Sequence, residues 1–176
     1  MKKFLLLTTV LVVFLTACNN SSDNGMTMSN ENSNDSLNHR MEMAVRAVYK
    51  AMETGDVSQV DSFIAPDIVD HEGPRGMPVN GRDSLKVMFA DVHNHFDNLK
   101  FDVITTAANG DYGFCLAKMS ATTKDSSMGG HPGTQINSTF VDVVKIKDGK
   151  ATEHWGYRDP KEIADMMKQM APAGKK

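Results

Sequence analysis

Thr139-Phe140-Val141-Asp142-Val143-Val144-Lys145-Ile146-Lys147-Asp148-Gly149-Lys150-Ala151-Thr152-Glu153-His154-Trp155-Gly156-Tyr157 reads as strand, turn, strand. Asp148-Gly149 between two strand-like runs is a strong hairpin signal, because a type I′ turn needs φ > 0 at both central residues. A two-residue turn also sets a register: Lys147 opposes Lys150, Val144 opposes Glu153, Asp142 opposes Trp155, and Phe140 opposes Tyr157. Alternation then gathers Phe140, Asp142, Val144 and Ile146 on one face, with Trp155 and Tyr157 across from them. One carboxylate falls among aromatic and aliphatic side chains. If that face lines a pocket, Asp142 is a candidate general acid or base. If Asp142 is wetted at a strand edge, or bonded to backbone or to Arg158, its role is structural.

Period-two patterning extends upstream. Leu99, Phe101 and Val103 alternate with Lys100 and Asp102, and this strand ends at Asn109-Gly110. Residues 111–124 form another strand, with Cys115 as a small buried core residue. A Ser/Gly/Pro-rich loop, Asp125 to Gly133, carries His131. Before the strands the period is helical. Leu37, Met41, Ala44/Val45, Val48 and Met52 make an apolar stripe that Gly55 ends. Asp56 with Gln59 three residues on predicts a short capped helix that buries Val57, Val60, Phe63 and Ile64. An extended piece, Ile68 to Pro74, leads into a Gly/Pro loop. A third helix over Asp83 to Phe96 buries Leu85, Met88, Phe89, Val92 and Phe96. His93 and His95 are two apart, so they point to different sides of it and are expected to be solvated. Pro160 starts a last amphipathic helix with Ile163, Met166, Met167 and Met170 on its apolar side. Helices followed by strands predict an α+β domain, with helices packed on one face of a curved antiparallel sheet.

The N-terminus reads as an address. Met1-Lys2-Lys3 is basic, and Phe4 to Leu15 is an apolar run of signal-peptide length, too short to span a bilayer as a helix. Leu15-Thr16-Ala17-Cys18 resembles the bacterial lipoprotein box, in which the Cys is acylated and becomes the mature N-terminus. The organisation expected is a signal peptide over 1–17, lipidated Cys18 with a disordered Asn/Ser-rich tether over 18–36, one domain over 37–171, and a tail over 172–176. That places the protein in the bacterial cell envelope, held to a membrane through Cys18. The chain carries 19 Lys and Arg against 22 Asp and Glu, a formal net charge of −3, with no basic patch, which argues against a nucleic-acid partner.

Several pieces resemble the SnoaL-like polyketide cyclase family of the nuclear transport factor 2-like superfamily. They are Gly55-Asp56, Ala65-Pro66-Asp67-Ile68-Val69-Asp70-His71, Gly81-Arg82-Asp83-Ser84-Leu85, and the hairpin from Asp142 to Trp155. Their order and spacing cover nearly the whole domain, Leu37 to Tyr157. The resemblance implies a cone-shaped α+β barrel whose curved sheet and helices enclose a pocket, with a homodimer in many members. In the family's cyclases an Asp on the penultimate strand is the acid/base, and Asp142 matches it by position. His71 matches the family's His after the short helix, and His131 is the nearest candidate for its His before the Asp. The mechanism implied needs no cofactor and no metal. Phe140, Trp155, Tyr157 and Phe89 would hold a flat apolar ligand.

Three readings follow. The first is an exported, lipid-anchored domain whose apolar pocket binds a small hydrophobic molecule or a protein partner. The second is a cofactor-independent acid/base enzyme of cyclase, isomerase or dehydratase type, using Asp142 with His71 or His131. The third is copper handling by Met and His ligands, drawing on Met26/Met28, Met41/Met43 and Met166/Met167/Met170; the helical Met residues fall on core stripes, which favours packing. An enzyme requires Asp142 to be enclosed, free of Arg or Lys, and within reach of a His.

Overall fold

The computed structural model describes residues 23–127 and 131–170; the expected signal peptide, Cys18 and the tail lie outside them. The elements in order are α1 (Asp23–Thr54), β1 (Ile64–Asp70), β2 (Val79–Asn80), α2 (Arg82–Val92), β3 (Phe96–Asn109), β4 (Tyr112–Thr123), β5 (Gln135–Lys147), β6 (Lys150–Arg158) and α3 (Pro160–Met170). The strands form one sheet in the order β2-β1-β6-β5-β4-β3. Register shifts within the β1–β6, β3–β4 and β5–β6 pairs mark the bulges at which such a sheet bends. This is the curved α+β architecture expected.

The sheet is mixed rather than wholly antiparallel, because β1 pairs in parallel with β6, placing Asp70 beside His154. The predicted short helix is only a 3₁₀ turn, Val60–Ser62, and Ile64 already opens β1. Asp56 accepts the Ser58 N–H, which closes a local turn without starting an α-helix. The first helix also runs further back than its apolar stripe, taking in residues 23–36 of the expected tether; propagation costs little once a stable turn exists downstream. Its C-terminus is as read: Gly55 has φ +79° and its N–H bonds to the Ala51 carbonyl. The second helix stops at Val92, and Phe96 is the first residue of β3.

Two apolar clusters fill the space between helices and sheet. Met41, Val45, Tyr49, Cys115, Ala117 and Phe140 pack α1 onto β4 and β5. Ala51, Val60, Ile64, Ile68, Leu85 and Phe89 pack α1 and α2 onto β1. Each large side chain buried this way contributes roughly 1.5–3 kcal/mol, so the clusters fix α1 and α2 over the sheet and leave a cavity between them. On α3, Ile163 and Met167 are exposed, so these two do not form the buried side expected of that helix. The edge strand β3 is covered by α1: Phe101 donates its N–H to Glu53, and Ala108 donates to Asn38.

Candidate functional site

The cavity holds about 360 Å³, within the range of small-molecule sites. Its walls are mostly apolar, including Met41 and Met52 of α1, Phe89 of α2 and Phe140 of β5. One end is polar, and its position follows from a single irregularity in the late hairpin. Asp148 and Gly149 both have positive φ (52° and 72°), as a type I′ turn requires, and Lys147 opposes Lys150 as predicted. Ile146 then opposes Ala151, but Lys145 opposes Glu153, so Thr152 is an extra residue in a β-bulge. From there on, a one-residue slip turns every β6 side chain to the other face. Asp142 opposes Gly156 rather than Trp155, and Phe140 opposes Arg158 rather than Tyr157.

The bulge replaces two aromatics on the inner face with a histidine, a glycine and an arginine. His154 Nε2 lies 3.3 Å from Asp142 Oδ1, and its Nδ1 lies 3.0 Å from Asp70 Oδ1. Tyr49, from α1, donates its hydroxyl to Asp142 Oδ2 at 2.6 Å. Asp70 Oδ1 also accepts the Glu72 N–H. The result is a chain Tyr49–Asp142–His154–Asp70 contributed by α1, β5, β6 and β1. Asp70 is 4% exposed, and the Asp142 side chain is 14% exposed. Burial alone would disfavour the imidazolium, but hydrogen bonds to Asp142 and Asp70 and their charges outweigh it and push His154 up to about 10. His154 is therefore a cation at neutral pH. Burial also opposes ionisation of Asp70, yet the His154 contact holds that carboxyl below the usual range. Burial and the Asp142 charge push Tyr49 up, which keeps it a donor.

The other sequence-predicted residues stand elsewhere. His71 follows inward-facing Asp70, so alternation points it outward. There it stacks on Trp155, with ring centroids 4.8 Å apart, and places Nε2 3.2 Å from Glu153 Oε2. Trp155 and Tyr157 lie on that outer face and do not line the cavity. His131 is exposed in the β4–β5 loop, where its carbonyl accepts from Thr123. Neither His71 nor His131 reaches Asp142. His93 and His95 are not simply solvated: His95 lies between Asp91 and Asp125, and His93 Nδ1 is buried. Phe140 and Phe89 do line the cavity. Sequence reasoning missed His154, Asp70, Tyr49 and Glu72. The available signal was Gly156, since a glycine inside a strand marks a bulge or a close approach.

Among the described residues, Glu72, Asp142 and His154 bring ligand-type atoms within 4.8 Å of one another. His154 Nδ1 faces Asp70 and its Nε2 faces Asp142, one of the three. Of the methionines considered for copper, Met41 is buried in the core, and Met43 and Met167 are exposed. No helix among the described residues is long and apolar enough to cross a membrane.

The profile of the SnoaL-like polyketide cyclase family matches residues 42–170. No curated protein matches the chain. Among solved structures, TsrD from Streptomyces laurentii is 15% identical, with a TM-score of 0.64, covering 77% of this chain and 97% of that one. IdmH from Streptomyces antibioticus is 24% identical, with a TM-score of 0.58 and coverage of 74% and 97%. A protein of ketosteroid isomerase-like fold from Catenulispora acidiphila is 14% identical, with a TM-score of 0.56 and coverage of 70% and 90%. At these identities the structures speak for the fold alone. The family match spans most of the chain, from α1 to the end of α3, and so includes both strands of the late hairpin: this protein belongs to the SnoaL-like polyketide cyclase family.

Proposed function

We propose that this domain is a cofactor-independent acid/base enzyme acting on a small apolar carbonyl compound. The observation that carries this reading is the setting of Asp142. It is enclosed, accepts from Tyr49 and faces His154, and no Lys or Arg among the described residues forms an ion pair with it. Asp142 would remove a proton next to the substrate carbonyl. His154 is held on its far side by Asp70 and steadies the charge at Asp142, much as a buried carboxylate orients a catalytic histidine elsewhere.

The test uses 4-hydroxy-4-phenylbutan-2-one, an enolisable apolar ketone, in D₂O. Exchange of its C3 hydrogens, followed by proton NMR, is expected above the buffer rate and to fall by about 10²–10⁴-fold in Asp142→Asn. A buffer rate with saturable binding of the probe would overturn the enzyme and support the second reading, a ligand-binding module. The largely apolar cavity wall favours that second reading.

We further propose that the chain is exported and anchored through lipid on Cys18, on the strength of the N-terminal pattern alone. Mass spectrometry of the full chain made in a bacterium would then find an acylated Cys18 N-terminus, and Cys18→Ser would release the protein from membranes; an unmodified Met1 terminus would refute it. A homodimer through the outer sheet face is also proposed, because Phe114 and Tyr157 are exposed there. Sedimentation at micromolar concentration is expected to give twice the monomer mass, and a monomer would exclude it.

A further inference from the structure

Glu72 ends β1's approach to the cavity, and neither the sequence pattern nor the acid/base reading above gives it a role. Its N–H is held by Asp70 Oδ1 at 2.8 Å. Its carboxyl lies flat over Gly156, where a Cβ built on the backbone would collide with the carboxyl carbon and both oxygens. Gly156 is the residue opposite Asp142, so the slot seats Glu72 next to Asp142. The ligand atoms of Glu72, Asp142 and His154 lie within 4.8 Å of one another, and Glu72 lines the same cavity.

We propose that Glu72 is a second proton-transfer residue of this site, serving as the acid for a leaving hydroxyl while Asp142 serves as the base. This rests on the enzyme reading above. A carbon acid needs only a base to exchange its proton, whereas expelling hydroxide from carbon needs a donor as well. The groups facing Glu72 are Asp70 from β1, Asp142 from β5, and His154 and Arg158 from β6. Glu72 is an exposed residue, yet partial desolvation of its carboxyl, followed by the negative charges of Asp142 and Asp70, holds it above its ordinary range, against the pull of Arg158 and His154. Asp142, by contrast, accepts the Tyr49 hydroxyl and faces His154. Two nearby carboxyls in opposed environments mark an acid and a base.

The step balances without an oxidant or reductant. An Asp142 oxygen takes the proton from the carbon α to the carbonyl, so C–H breaks and O–H forms. The electron pair enters the enolate and then the new C=C bond. The C–O bond at the β carbon breaks, Glu72 gives its proton to the departing oxygen, and water leaves. The proton gained by Asp142 passes to Glu72 and resets the site. The substrate class is a β-hydroxy carbonyl compound with an apolar body.

The probe 4-hydroxy-4-phenylbutan-2-one reads both events. Exchange at C3 reports Asp142, and the appearance of benzylideneacetone by ultraviolet absorbance reports elimination. Glu72→Gln is expected to lower the ratio of elimination to exchange about 100-fold. Gly156→Ala, which drives the carboxyl out of its slot, is expected to lower the same ratio. Carboxyl-carbon NMR of Glu72 should titrate above the ordinary carboxyl range and move down in Asp142→Asn. Exchange without elimination in the unmodified protein overturns the role of Glu72 and leaves the enzyme reading standing. A ratio unchanged in Glu72→Gln, or a Glu72 titration in the ordinary range, overturns it as well. Absence of both reactions overturns the inference together with the reading beneath it.

Discussion

The two faces of the β5–β6 hairpin each mix polar with apolar side chains, and they do so differently. An antiparallel sheet normally turns apolar side chains to the core and polar ones to water. Here the inner face sets Asp142, His154 and Arg158 among Phe140, Val144 and Ile146, while the outer face carries Val141, Val143, Trp155 and Tyr157, with Tyr157 59% exposed, beside the Lys145–Glu153 ion pair. Each charged group on the inner face is costly there unless partnered, and Asp142 and His154 have each other and partners from two other elements, α1 and β1. The comparison teaches that the inner face is built around a cavity and the outer face is a surface of a different kind. The residue that keeps them apart is Thr152, in the bulge.

The largest way to break the contrast is therefore to delete Thr152. The distal half of β6 would present Trp155 and Tyr157 inward and strand Asp142 and Asp70 without their imidazolium. Losing one member of such a network costs on the order of 3–5 kcal/mol. Urea unfolding is the measure, and a midpoint equal to that of the parent would show that the bulge does not assign the faces.

A smaller effect follows from titration. His154 has its folded value raised to about 10 from an unfolded 6.5. The native state therefore holds a proton the unfolded chain lacks between those values. The stabilisation is complete below about pH 6.5 and is lost as pH rises toward 10, by an amount on the order of a few kcal/mol. Stability measured in urea should fall across that window, and His154→Asn should flatten the dependence. An equal slope in both proteins would mean that His154 is not the group responsible.

Tyr49→Phe removes one donor from Asp142 and leaves the ring packed against Phe101 and Phe140. A stability loss of about 1–3 kcal/mol is expected by thermal or chemical unfolding; no loss would mean that solvent replaces the hydroxyl freely. The smallest effect belongs to His131→Ala. Its side chain is exposed and far from the inner-face chain, so stability should stay within about 0.5 kcal/mol and probe exchange should match the parent. A clear drop in exchange would bring the loop back into the site.

Much of this was legible in the residues. The Asp148-Gly149 turn, the helical stripe of α1, the buried thiol of Cys115 and the grouping of Asp142 with Phe140, Val144 and Ile146 on one face all follow from local rules, while which face meets the cavity does not. What failed was distance along the strand from the turn. Thr152 is an ordinary strand residue, and nothing in its chemistry announces a bulge, so the register was right at Lys147 and wrong by one at Asp142. That single error put Trp155 and Tyr157 in the pocket and kept His154 out of it. The parallel pairing of β1 with β6 is a second long-range choice that no local pattern encodes, and it alone delivers Asp70 to His154. His71, matched by position, was lost because period-two alternation had already assigned the inward direction to its neighbour.

The parallel β1–β6 pairing also has a kinetic consequence. Asp70 and His154 are 84 positions apart in the chain, and Tyr49 and Asp142 are 93 apart. Contacts of such separation close large loops and form late, whereas the β5–β6 turn closes a small one. As the chain emerges from its N-terminus, α1 and β1 must wait for β6, the sixth and last strand, before the sheet has its centre. The polar chain Tyr49–Asp142–His154–Asp70 therefore closes only once β6 is in place.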